Sequence, residues 1–175
     1  IVGAPGDDVH SGAAYIVVRQ AGAWRLQTKL TAGDRAFEDL FGTSVAIAGD
    51  YALVGASSDD DRGLQSGAAY IFERQDSVWV QKAKLLPADG VQEDLFGVSV
   101  DLTEDYALIG AIGNDEKSPG AGAAYVYKRN PQSGVLQKHK TLLASDGKAQ
   151  VQFGNAVAIS GDYAVVGALM QLSGG

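Results

Sequence analysis

The chain has 175 residues, 14 Lys and Arg against 21 Asp and Glu, a net charge of −7 and no cysteine. That charge argues against nucleic acid or an anionic membrane as the main partner, and the missing cysteine removes thiol catalysis, thiolate metal sites and disulfides. No apolar run approaches the ~18 residues of a membrane span, so membrane insertion by this segment is not expected.

The chain opens inside a strand-like run, Ile1-Val2-Gly3-Ala4, and reaches a second at Gly12-Ala13-Ala14-Tyr15. The stretch from residue 41 is the clearest. Residues 43–48 alternate apolar Val45 and Ile47 with small Ser44 and Ala46, which predicts a strand with one closely packed face. Gly49-Asp50 reads as a tight turn into a second strand over 51–56. A polar loop over 57–66 leads to a third strand over 68–74. The turn Gln75-Asp76-Ser77 leads to a fourth over 79–85, and a second polar loop over 87–94 returns to Phe96-Gly97.

The same order then repeats. Gly-Ala-Ala-Tyr recurs at Gly12, Gly67 and Gly122, a constant step of 55, and Phe-Gly recurs at Phe41-Gly42, Phe96-Gly97 and Phe153-Gly154. Gly-Ala closes an apolar run at Gly3, Gly55, Gly110 and Gly167. A fixed period of this size marks a stacked or circular array. Four short strands per period with no helical pattern describe a β-meander, the unit of a propeller blade. The predicted fold is therefore all-β, with four-stranded antiparallel blades of a β-propeller in segments 1–40, 41–95, 96–152 and 153–175. The strands amount to about three blades, and closed propellers typically use 4 to 8, so a segment of a larger propeller is expected, with a piece that oligomerises to complete a ring as the alternative. Phe41, Gly42, Phe96, Gly97, Phe153 and Gly154, with Tyr15, Tyr70 and Tyr125, are expected at the joins between blades. Gly55, Gly110 and Gly167 are expected to permit close backbone approach there. On the fourth strand, Lys82 and Lys84 are expected to point away from Trp79, Gln81, Ala83 and Leu85 and to protect an outer edge.

Phe41-Gly42-Thr43-Ser44-Val45 and Phe96-Gly97-Val98-Ser99-Val100, followed by Gly-Ala and Gly-Ala-Ala-Tyr, resemble the FG-GAP repeat, the blade unit of the integrin α-subunit-type β-propeller. Gly3-Ala4-Pro5 matches the second half of that motif in full, while Gly55-Ala56-Ser57, Gly110-Ala111-Ile112 and Gly167-Ala168-Leu169 lack its proline. The resemblance implies an extracellular or cell-surface protein that binds through its loops. Integrin blades often carry an Asp-rich calcium loop between their first and second strands. Here that connection is a two-residue turn, Gly49-Asp50, Glu104-Asp105 or Gly161-Asp162, which cannot supply the six to eight oxygens calcium needs.

The acids lie elsewhere. In the loops that a propeller would place on one face, acidic residues outnumber basic ones by 14 to 4, which suits a cationic partner or divalent ions. Asp59 and Asp61 in one loop and Asp115 in another are the candidate calcium ligands. Asp34/Asp39 and Asp89/Asp94 recur five apart before Phe-Gly, and the first Asp of each pair is expected to cap its own loop; Val151 replaces the second in the next repeat. No catalytic grouping assembles: His10 and His139 occupy non-equivalent places, and neither His-Glu-x-x-His nor a phosphate-cradling loop is present. The expected function is a non-enzymatic extracellular binding or structural module, with a protein partner or further blades as its associates. A carbohydrate-binding propeller using glycan and an enzyme whose site lies in other blades are the alternatives. Trp24 and Trp79, both at the start of a fourth strand, are read as packing residues.

Overall fold

The computed structural model describes residues 1–169. Its elements are thirteen strands. β1 (Val2–Ala4), β2 (Ala13–Gln20) and β3 (Ala23–Leu30) form the first sheet. β4 (Phe41–Ala48), β5 (Tyr51–Ala56), β6 (Ala68–Gln75) and β7 (Val78–Leu85) form the second, and β8 (Val100–Leu102), β9 (Tyr106–Ala111), β10 (Ala123–Arg129) and β11 (Leu136–Leu142) the third. β12 (Phe153–Ser160) and β13 (Tyr163–Ala168) pair as a two-stranded sheet. Strands within each sheet are antiparallel and follow chain order, so each sheet is a blade and β3, β7 and β11 are outer edges.

Strand alternation explains the packing between blades. On β6, Ala68, Tyr70 and Phe72 face the first blade in a cluster with Ala14, Ile16, Leu30 and Phe41. Ala69 and Ile71 face the third blade in a cluster with Phe96, Ile109 and Tyr125. Phe41 meets Tyr70 edge to face at 5.3 Å between ring centroids, and Phe96 meets Tyr125 in the same way at 5.3 Å. Burying each phenylalanine contributes roughly 1.5–3 kcal/mol.

The backbone makes the closest contact between blades. Gly12, Gly67 and Gly122, all at positive φ, form parallel bridges with Phe41, Phe96 and Phe153 of the following blade. Beside each bridge two backbone hydrogen bonds cross: Leu40 and Phe41 donate to His10 and Ser11, Leu95 and Phe96 to Gln65 and Ser66, Gln152 and Phe153 to Gly120 and Ala121. The second-strand glycine lies directly against the Phe-Gly glycine of the next blade. A Cβ on Gly55 would come within 1.9 Å of the Gly97 carbonyl oxygen, and one on Gly110 within 2.0 Å of that of Gly154. The Ser44 and Ser99 hydroxyls donate to the same two carbonyls at 2.7 and 2.6 Å. Gly167 was expected to behave likewise, but a Cβ there would meet only Ala156, at 3.5 Å, among the described residues.

The outer hairpins differ from expectation at one position. Each carries a bulge at the same place, between Ile16 and Val17, Ile71 and Phe72, and Val126 and Tyr127. On β7 the bulge absorbs Lys82 as the extra residue, so Tyr70 pairs with Lys84. Lys82 stays on the rim, but the Lys84 side chain is only 14% exposed. It is therefore not a protective edge lysine.

Candidate functional site: the loop face

The loops joining second to third strands interlock with those leading to the next blade. Ser58 N donates to Asp39 O, Glu93 N to Leu64 O, Gly113 N to Asp94 O and Gln150 N to Pro119 O. This lacing holds non-glycine residues in the left-handed region at equivalent places: Glu38 and Leu40, Glu93 and Leu95, Gln150 and Gln152. Such conformations persist only where the surroundings over-determine them.

A Tyr–Asp–Lys clamp lies under this face. In the second blade the Lys84 ammonium sits 2.9 Å from Asp34, 2.7 Å from Asp59 and 2.6 Å from Asp61. The Tyr70 hydroxyl lies 2.9 Å from Asp59 and 3.0 Å from Asp34, so its single proton is shared between two acceptors. Burial alone would lower the Lys84 pKa, but hydrogen bonds to Asp59, Asp61 and Asp34 outweigh it and raise it. Burial likewise opposes ionisation of Asp34, and Lys84 and Tyr70 reverse this and hold its pKa low. Burial pushes the Tyr70 phenol far up. The first blade repeats the clamp with Tyr15, Asp7 and Lys29, and the Tyr15 hydroxyl, followed by Lys29, lowers the Asp7 pKa to about 2. The third blade varies it. Asn114 stands where Asp59 does and donates to the Tyr125 hydroxyl at 3.2 Å, Thr141 stands where Lys84 does, and Lys138 reaches Asp89 at 3.1 Å from further along β11.

The three calcium candidates are thus not one group. Asp59 and Asp61 converge on Lys84, whereas Asp115 Oδ1 accepts from Gly120 N at 2.7 Å and closes its own loop. Among the described residues no set of three or more His, Asp or Glu is arranged to hold a metal ion.

The recurrent Asp pairs divide their roles in the reverse of the expected order. The second Asp caps the loop: Asp39 accepts from Ala36 N at 2.5 Å and Asp94 from Val91 N at 3.0 Å. The first, Asp34 or Asp89, reaches the lysine of the following outer strand, because only there is a cation within range. Asp94 is fully buried and its Oδ1 has no partner. Burial raises its pKa, with Asp115 and Asp89 adding to the effect. A carboxyl whose folded pKa lies above its unfolded value penalises folding once ionised, and the penalty fades as pH falls towards the unfolded pKa. Asp94→Asn is therefore expected to stabilise the protein by on the order of 1 kcal/mol at pH 7. The gain should shrink to nothing near pH 4. Chemical denaturation at both pH values checks this, and an equal effect at both would show that Asp94 does not act through its charge. The buried Val151 at the equivalent position already dispenses with the carboxylate.

Two equivalent grooves open between the laced loops. The first, about 400 Å³, is lined by His10, Phe37, Glu38, Leu40, Ser58, Asp60, Leu64 and Gln65. The second, about 390 Å³, lies one blade on and takes Glu93, Leu95, Asp115 and Pro119 at the corresponding positions. Neither is lined by Lys or Arg. Phe37 and Leu64 are 66% and 56% exposed, which gives the first groove an apolar wall.

The family model of the FG-GAP repeat matches residues 24–72, 79–127 and 137–174. The chain belongs to the FG-GAP repeat family. Each match to an FG-GAP repeat starts on or within an outer strand and crosses the Phe-Gly step, and the first two end on the third strand of the next blade, so the repeating sequence unit spans a join between blades. No curated protein is matched. FG-GAP repeats are found in extracellular, adhesion-type propellers and are typically non-enzymatic. Among the described residues of this FG-GAP protein no helix is long and apolar enough to cross a membrane.

Sequence reasoning missed both the clamp and the grooves. The step of 14 residues from Tyr15 to Lys29 and from Tyr70 to Lys84 was a readable signal for the clamp. The grooves carry only the repeated Glu-Asp-Leu before Phe-Gly at Glu38 and Glu93. His10 lines the first groove 6.4 Å from Phe37, while His139 sits on β11 beside Tyr106, so the two histidines share no site. Trp79 packs across the first join and donates to Gln27 at 3.3 Å, whereas Trp24 is 70% exposed.

Proposed function

We propose that this FG-GAP protein is a non-enzymatic binding module, extracellular or at the cell surface, that takes a protein partner through the loop face. The observation that carries this reading is the repetition of the groove. Two adjacent joins present the same acid-lined cleft, with neither Lys nor Arg in its lining, on backbone held in strained conformations. The clamp lysines neutralise the carboxylates beneath, while Glu38, Asp60, Glu93 and Asp115 remain at the openings. A partner bearing basic and apolar side chains complements that surface. Rigid blades beneath variable loops are the usual arrangement for loop-borne recognition.

A surface-plasmon-resonance panel of extracellular matrix and cell-surface proteins, run beside a glycan array, tests the reading. A saturable protein hit should weaken at least about tenfold in Glu38→Lys/Asp60→Lys and fall steeply with salt. Lys82→Glu, on the opposite side of the blade, should leave it unchanged. A glycan hit that survives the groove variants, with no protein hit, would replace this reading with the carbohydrate-binding one.

A further inference from the structure

A second cavity, of about 190 Å³, lies at the other end of the strands, between the second and third blades. Ile71, Ala83, Val135 and Leu136 give it apolar walls. Its polar wall is Arg129, which is only 9% exposed. The Arg129 guanidinium stacks 3.5 Å above the centroid of the Tyr51 ring, a contact made across the join. Nε donates to the Glu104 carbonyl at 2.7 Å and Nη1 to that of Gly134 at 2.9 Å, while Nη2 is buried without a partner.

No carboxylate pairs with this cation among the described residues. Glu73, on the same wall, is already engaged by Lys82 at 3.1 Å and by Tyr51 and Gln75 at 3.3 Å. The equivalent Arg74 is exposed and pairs with Asp50, so the arrangement does not belong to every blade. It depends on the longer turn before β11. Asn130 holds that turn by exchanging backbone hydrogen bonds with Gly134 and Val135, and by accepting from Gln132 and Ser133 on its side chain. The turn places Gly134 on Arg129 and Val135 over the cavity.

A buried guanidinium N–H with no acceptor carries a standing cost that an incoming anion removes. A carboxylate matches guanidinium geometry, and the Lys82 ammonium on the rim favours its entry. The volume accommodates about six water-sized groups, which sets the scale of the ligand body.

We propose that this seam cavity binds a small branched-chain monocarboxylate, its hydrocarbon against Ile71, Ala83, Val135 and Leu136 and its carboxylate on Arg129, whose enclosed Nη2 becomes reachable when the side chain shifts towards the cavity. The site lies on the face opposite the grooves and does not depend on their function. A free acid and a polypeptide ending in valine present the same group, so both sources enter the test. Isovalerate, N-acetyl-Ala-Val and, as neutral control, isovaleramide are titrated into 15N-labelled protein. Isovalerate or the peptide acid should shift the Arg129 Nε–H and the amides of Ser133 to Leu136 saturably, and isovaleramide should not. Whichever acid saturates first identifies the source. Lys82→Gln should weaken binding about fivefold, and Arg129→Lys should abolish it. Ala83→Leu, which fills the cavity and leaves Arg129 in place, should also abolish it, so the proposal stays testable if Arg129→Lys unfolds. Equal shifts with acid and amide, or no saturable shift with either acid, would overturn it.

Discussion

Gly55→Ala is expected to cost about 3 kcal/mol and to lower the melting temperature by roughly 6–12 °C. The added Cβ would lie 1.9 Å from the Gly97 carbonyl oxygen and 2.5 Å from Ser44 Oγ. The serine hydroxyl can rotate away, but the carbonyl belongs to the backbone that bridges the two blades. Relief therefore means parting the second and third blades, with loss of packing around Phe96 and Tyr125. Gly110→Ala should behave alike at the next join. Gly6→Ala, where a Cβ would meet nothing within 4 Å, should stay within about 0.5 kcal/mol of the parent. If Gly55→Ala melts with the parent, the blades do not close through these glycines.

Lys84→Met is expected to cost about 2–4 kcal/mol at neutral pH, since it leaves the buried Asp59 facing Asp34 and Asp61 without their cation. The sign of the pH dependence follows from the shifts. The Asp34 pKa is held low and the Lys84 pKa high. The contribution of Asp34 is present above its unfolded pKa and lost as pH falls through its folded value. That of Lys84 is complete below its unfolded pKa and lost as pH rises through its folded value. The parent should thus lose stability on acidification, whereas the deficit of Lys84→Met should narrow as Asp34 takes up its proton. Calcium and EDTA should leave the melting temperature of the parent unchanged, and millimolar calcium should raise that of Lys84→Met. A calcium-dependent parent would show that Lys84 is not the cation that balances this cluster.

The architecture was legible because the landmarks that recur in sequence are the residues that touch in space. Phe41 and Phe96 pack against the tyrosines of Gly-Ala-Ala-Tyr, and the glycines of Phe-Gly and Gly-Ala meet across each join. The strand over 51–56 followed from the tight turn Gly49-Asp50 before it, and the one over 79–85 from alternation after the turn at Gln75-Asp76-Ser77. Alternation also led to the wrong role for Lys84. A bulge inserts one residue without any mark in the local pattern, and every side chain beyond it changes face. The roles of Asp39 and Asp34 were interchanged for a related reason. Both stand at a fixed distance from Phe41, and only the folded loop shows which one has a free N–H beside it and which has a distant ammonium. Arg129 on Tyr51 joins residues from different blades, and nothing in either stretch of sequence announces the other.

The joins carry one more consequence. Each described join has a parallel bridge flanked by two backbone hydrogen bonds of 2.9–3.2 Å, and none is visibly looser than the others. A structure without a preferred hinge fixes the separation of the two grooves. For a partner that fills both, the second contact then becomes an intramolecular step at an effective concentration set almost wholly by the partner's own linker. Avidity should peak where the reach of that linker matches the groove separation and disappear when it falls short, which makes the loop face a ruler as well as a surface.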